Sequence, residues 1–143
     1  MLESSLYVTD LRRAVAFYRN VLGLELADEF EADRGAALFA GSGILLLFCA
    51  DVTRRKGVLP PHGASGPGHL AFRVKPNELN AWRKRLRECG VEIELEFSFE
   101  GQPPSIYFRD PDGNSLELAV ASIWPFKQRR TTQSKLGPWA SNH

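Results

Sequence analysis

The stretch GHLAFRVKPNELNAWRKRLRECGVEIELEF, residues 68–97, decides how the whole chain is read. It opens with GHLAFRV (68–74), where Leu70, Phe72 and Val74 share one face and His69, Ala71 and Arg73 the other. That alternation is the signature of a half-buried strand. From Asn77 through Cys89 the spacing becomes helical, with Leu79, Trp82 and Leu86 on one side and Arg83, Lys84 and Arg87 on the other. Gly90 stands where a helix is commonly closed, and residues 91–97 return to the strand pattern. Two further strands, at 104–109 and 114–121, are joined by Asp110-Pro111-Asp112-Gly113, a strong turn sequence.

The first half of the chain has the same order. Residues 3–8 (ESSLYV) alternate, Asp10 stands as an N-cap, and LRRAVAFYRNVLG follows with helical spacing up to Gly23. Strand-like runs come next at about 24–31, 35–40 and 43–50. Between the halves, DVTRRKGVLPPHGASG (51–66) is rich in Pro, Gly and charge and predicts a linker or covering loop. The pattern is β-α-β-β-β, loop, β-α-β-β-β: an internal repeat of roughly 50–60 residues, the most informative property of the sequence. Laid on itself, the chain matches Leu6 and Val8 with Phe72 and Val74, Phe39 with Phe108, and Gly43 with Gly113. Glu3 and His69 then become counterparts, each opening its strand on the face away from the helix, and Glu117 has Leu47 as its counterpart.

That face is not plain solvent surface. The run ILLLFCA (44–50) is apolar on both sides, so Leu45, Leu47 and Cys49, with Leu38 and Tyr107, are expected to form a second apolar surface. A sheet curved into a cup, with Glu3, His69 and Glu117 on its strands, accommodates both features. Carboxylates and an imidazole converging in a partly apolar cavity are suitable donors for a divalent metal. His62, in the Pro-rich loop, reads as a surface histidine, and Cys49 as a buried, inert thiol.

With 143 residues, 43% of them hydrophobic and 24% charged, the chain is sized for one globular domain with a proper core. Neither a membrane-length apolar run nor a signal pattern is present, and two cysteines fit a reducing compartment, so a cytoplasmic location is expected. Net charge is only +1, with Lys127, Arg129, Arg130 and Lys135 gathered in a segment, 122–143, that carries no acid. This tail predicts an extended or disordered extension rather than a nucleic-acid-binding element, for which no motif is found.

The blocks LYVTDLRRAVAFYRNVLGLEL (6–26), GHLAFRV (68–74) and IYFRDPDGNSLELA (106–119) together resemble the vicinal oxygen chelate superfamily of glyoxalases, bleomycin- and fosfomycin-resistance proteins and extradiol dioxygenases. The resemblance covers residues 2–121. It implies an α+β fold of two tandem βαβββ modules (2–50 and 67–121, linker 51–66), whose mixed sheets curve into a cup around one divalent ion, Mn, Mg, Zn or Fe. It commonly implies a homodimer whose cup walls are built from paired modules. Carried over by position, the metal ligands would be Glu3, His69 and Glu117, and Leu47 would fill the fourth place without ligating. Four-ligand isomerase chemistry is thereby disfavoured. The fosfomycin-resistance thiol transferases have three ligands in these places, but Leu95 stands where their lysine is expected, and fosfomycin modification is not favoured either. No secure counterpart of their phosphonate-binding arginine is evident.

The expected catalytic residues are Glu117, Tyr107 and Arg73. The expected substrate contacts are Ser5, Tyr7, Ser105 and Arg109, with Leu38, Leu45 and Leu47 as the apolar wall. The expected function is Lewis-acid chemistry of isomerase, lyase, thiol-transferase or, less readily, dioxygenase type on a small oxygen-rich substrate. The alternative is a metal-free protein of the same fold that sequesters a small molecule such as an antibiotic.

Overall fold

The structure, a computed structural model, describes residues 1–124; the rest of the basic tail lies outside the described residues. The first module runs β1 (Glu3–Val8), α1 (Leu11–Asn20), β2 (Glu25–Glu29), β3 (Gly35–Ala40), β4 (Gly43–Cys49). A four-residue helix, α2 (Ala50–Thr53), opens the connecting segment, which the sequence pattern had shown only as loop. The second module runs β5 (His69–Arg73), α3 (Leu79–Glu88), β6 (Ile93–Phe97), β7 (Ser105–Arg109), β8 (Ser115–Ala119). The helix expected from Asn77 is entered through a single 3-10 turn, Pro76–Glu78.

Each module forms its own four-stranded mixed sheet, in the orders β1-β4-β3-β2 and β5-β8-β7-β6. In both, the strand before the helix pairs in parallel with the last strand, and the other pairs are antiparallel. The repeat predicted this architecture, tandem βαβββ modules of α+β class. Local chemistry sets the helix ends: the Asp10 carboxylate accepts from the Arg13 backbone N–H at 2.9 Å, and Gly23 and Gly90 follow α1 and α3 at φ 70° and 69°.

One apolar core runs through both modules, joining Leu6, Val15, Tyr18, Leu38, Leu45 and Leu47 of the first to Leu86, Phe108, Leu116 and Leu118 of the second. Polar links cross the same boundary around the turn 110–114. Tyr18 Oη donates to Asp110 Oδ2 at 2.8 Å. Asn114 Nδ2 donates to the Tyr7 carbonyl at 3.1 Å, while within its own module Asn114 Oδ1 accepts from the Gly68 N–H at 2.7 Å. Arg85 of α3 donates to the carbonyls of Asn20 and Val21 at the end of α1, at 2.7 and 3.0 Å.

The register corrects the sequence alignment by one residue in β3 and β4. Glu3 lies opposite Ile44, Ser5 opposite Leu46 and Tyr7 opposite Phe48, whereas Ala71 lies opposite Glu117. The counterpart of Glu117 is therefore Leu46. Leu38, Leu45 and Leu47, expected as a substrate-facing wall, lie on the helix-covered face and are essentially inaccessible, at 0%, 1% and 0% exposure. The cause lies before β3. Leu26 pairs with Leu38 whereas Ile93 pairs with Phe108, so the second module places three more residues between these partners. Leu38, not Phe39, is therefore the counterpart of Phe108, and in a strand a one-residue slip exchanges the two faces.

Candidate metal centre and substrate face

On the face of the second sheet away from α3, β5 presents His69, Ala71 and Arg73, β8 presents Ser115, Glu117 and Ala119, and β7 presents Ser105, Tyr107 and Arg109. The parallel pairing of β5 with β8 sets His69 one step from Glu117, and their Nε2 and Oε2 atoms are 3.3 Å apart. His69 remains half exposed while the Glu117 side chain is 8% exposed, so the imidazole caps a carboxylate sunk into the sheet. The other ring nitrogen of His69, Nδ1, is 3.4 Å from Ser115 Oγ, which helps fix the ring plane. Gly66, at φ 80°, turns the chain into this strand.

Two polar atoms here are buried with no hydrogen-bond partner among the described residues, Glu117 Oε1 and Ser105 Oγ. A buried carboxylate oxygen without a partner is costly, and either a donated hydrogen bond or a cation satisfies it. Tyr107 lies directly across from Glu117, its ring stacked beside His69 at 6.5 Å between centroids. Burial first, and then the Glu117 carboxylate, push its phenol above the ordinary tyrosine range. Tyr107 therefore stays protonated and can donate a hydrogen bond.

The other expected residues divide. Glu3, expected as the third ligand, does not join His69 and Glu117: among the described residues no group of three His, Cys, Asp or Glu is placed to hold a metal. Glu3 belongs to the other sheet and lines a cavity of about 880 Å³ on the first module together with Ser5 and Tyr7. Arg73 is exposed at the end of β5 and shares a second cavity, of about 550 Å³, with Glu3. Arg109, expected to hold substrate, is engaged elsewhere. It grips Glu94 through two donors at 2.6 and 2.9 Å and donates a third hydrogen bond to the Gly113 carbonyl at 3.0 Å. That pairing fastens the turn and β6.

Sequence reasoning missed several residues. Leu46 and Phe48, rather than Leu45 and Leu47, share the face of Ser5 and Tyr7, and only the strand register reveals it. His62 is no surface histidine: it is half-buried, 2.8 Å from the Tyr7 hydroxyl, with its ring edge-on to Phe48 at 4.8 Å. Its position in a Pro-rich loop carried no periodic signal. Cys49 and Cys89 are both unpaired, as expected, and burial with nearby Asp33 and Asp112 pushes the Cys49 thiol upward, away from reactivity.

A tandem βαβββ cup carrying a buried carboxylate under an imidazole, with further oxygen donors beside them, defines a class of small-molecule sites suited to a divalent cation. Residues 2–118 match the Glyoxalase/Bleomycin resistance protein/Dioxygenase superfamily, and the chain belongs to that family. It is 35% identical over 119 residues to the glutathione transferase FosA of Serratia marcescens, covering 83% of this chain and 79% of that protein. It is 30% identical over 118 residues to the metallothiol transferase FosB of Bacillus licheniformis, covering 82% and 72% of the two chains. Among solved structures it superposes on the lactoylglutathione lyase of Agrobacterium tumefaciens with a TM-score of 0.83 and 33% identity, over 89% of this chain and 97% of that one. The expectation of a glyoxalase-like fold and of metal-linked, thiol-transferase-type relatives agrees with these findings.

Proposed function

We propose that this chain is a metal-dependent enzyme of thiol-transferase type, acting on a small oxygen-bearing substrate in a cup formed by two copies of the chain. The observation that carries this reading is the His69–Glu117 pair, with the second Glu117 oxygen buried and unpartnered. His69 and Glu117 fit one divalent ion, and Glu3 of a second copy would complete the set. When bound, such an ion supplies Lewis acidity toward substrate oxygens and balances developing negative charge.

The chain's own residues have separate tasks. His69, held through Nδ1 by Ser115, offers Nε2. Tyr107 and Ser105 are the hydrogen-bond donors nearest Glu117 that can orient a substrate oxygen. Leu46 fills the place opposite Ser5 where a fourth ligand would stand. Leucine neither ligates nor shuttles protons, so the site lacks the fourth ligating base of an isomerase, and transfer to an activated electrophile is favoured over isomerisation. The relatives named as glutathione and metallothiol transferases support that choice.

The second copy is supported by two features. Glu3 stands apart from the His69–Glu117 pair within one chain, and the substrate faces leave Phe39, Leu95 and Phe97 about half exposed, at 53%, 51% and 48%. We also place the chain in the cytoplasm, on its two unpaired cysteines, and divide its single domain (2–121) at residues 51–66. No helix among the described residues is long and apolar enough to cross a membrane.

The test is metal content of untagged protein, wild type against Glu117→Gln, followed by thiol consumption with fosfomycin and with a glutathione hemithioacetal. Stoichiometric metal lost in the variant, with turnover in the first assay, is expected. Absence of metal under every loading condition would overturn this reading and favour the metal-free sequestering protein.

A further inference from the structure

The cavity of about 880 Å³ on the first module has a floor, a roof and one cation. The floor is the substrate face of β1 and β4: Glu3, Ser5 and Tyr7 beside Leu46 and Phe48. The roof is the segment Leu59–His62, and Phe30 closes one side. This roof is fastened rather than draped. The His62 N–H donates to the Thr53 carbonyl at 3.0 Å, and Thr53 Oγ1, fully buried, donates back to the His62 carbonyl at 2.6 Å. His62 Nδ1 meets the Tyr7 hydroxyl at 2.8 Å, and its ring packs edge-on to Phe48. Phe30, Phe48, Tyr7 and His62 thus form a connected aromatic cluster, with centroids 4.8–6.4 Å apart along the chain of contacts.

The cation is Arg34, half-buried in the cavity wall. Its backbone is held, with the carbonyl accepting from Cys49 N–H at 3.1 Å and the N–H donating to the Glu31 carbonyl at 3.3 Å. Its guanidinium pairs with no carboxylate among the described residues, although Glu31 and Asp33 are near in sequence and Glu3 lines the same cavity. The contrast with Arg83 and Arg109 is plain: each of those grips a glutamate through two donors. An unpaired guanidinium beside apolar and aromatic walls offers a fork that matches an oxyanion.

We propose that Arg34 anchors the anionic end of a small ligand whose flat, apolar body lies in the cavity against the aromatic cluster of Tyr7, Phe48 and His62. The ligand class is an organic oxyanion, a phosphonate or carboxylate with an apolar body. Leu46 then has a positive role as part of the apolar floor. Because Glu3 stands at the cavity edge, the anchored ligand enters the cup from the first module's side. That link to catalysis rests on the function proposed above, whereas the binding itself does not.

Calorimetric titration of metal-free protein tests this directly, using phenylphosphonate, inorganic phosphate and benzyl alcohol as probes. Phenylphosphonate should bind more tightly than either the anion alone or the neutral body alone. Arg34→Gln should weaken it by roughly tenfold to a hundredfold, the worth of a charged hydrogen-bonded pair, and Arg34→Lys by less. Glu117→Gln should bind the probe as the wild type does, which separates this site from the metal reading. A wild type that binds phenylphosphonate no better than phosphate, or an Arg34→Gln variant that melts like the wild type yet keeps full affinity, overturns the proposal.

Discussion

Tyr18 shows how one side chain can hold two modules together. Its ring is fully buried in the shared core, and its hydroxyl reaches the 110–114 turn of the other module, donating to a carboxylate that is itself 4% exposed. Removing the hydroxyl in Tyr18→Phe leaves the apolar packing intact and takes one partner from a buried Asp110. The expected cost is about 1–2 kcal/mol in urea unfolding, the usual worth of a buried hydrogen bond to a charged group. The same residue predicts a pH dependence. Burial, and then the Asp110 carboxylate, hold the phenol far above its ordinary value of 10.0, so the folded chain keeps that proton more tightly than the unfolded one. The associated stability is fully present below about pH 10 and is lost as pH rises above it. Wild-type unfolding free energy should therefore fall through the alkaline range, and fall less steeply in Tyr18→Phe, as read by denaturation at a series of pH values.

Among the elements, β6 is the one whose attachment rests most on charge. It is the edge strand of the second sheet, and Ile93 is its only residue that is not largely exposed. Glu94 is gripped by Arg109 of β7 and Glu96 by Arg83 of α3, each through two donors. Hydrogen bonding to these arginines holds both carboxyls below the ordinary value of 4.5. Their contribution is therefore present above about pH 4.5 and lost as pH falls through the lower folded values. Amide exchange in β6, corrected for the intrinsic pH effect, should accelerate below that point before β5 and β8 respond. A Glu94→Gln/Glu96→Gln variant should show the faster exchange already at neutral pH, whereas unchanged protection would mean that the pairs contribute nothing. The elements also show where sequence reading stopped being sufficient. Strand and helix positions were legible because alternation and helical spacing are local properties. The facing of β3 and β4 was not, because it depends on how many residues separate β2 from β3 in each module, and only the paired register exposes that difference.

For the whole molecule, the decisive fact is that Glu3 and the His69–Glu117 pair belong to different sheets and form no common donor group within one chain. If two copies complete each other's sites, a mixed dimer of Glu3→Gln and Glu117→Gln chains holds one doubly substituted site and one intact site. Mixing the two inactive variants under conditions that exchange subunits should then restore metal binding and turnover; a site contained within one chain would show no recovery. The sequence by itself determined the tandem βαβββ architecture, the helix ends and the candidate donors, since each is written in periodicity, capping residues and a repeat visible on the page. The family resemblance it carries also named Glu3, His69 and Glu117 as candidate ligands. Which leucine lies across from Ser5, whether Arg109 is engaged by a carboxylate, and how His62 and Arg34 frame a cavity were decided by the tertiary structure alone. These depend on contacts between residues distant in the chain, such as Tyr7 with His62 and Arg109 with Glu94, for which local spacing carries no record.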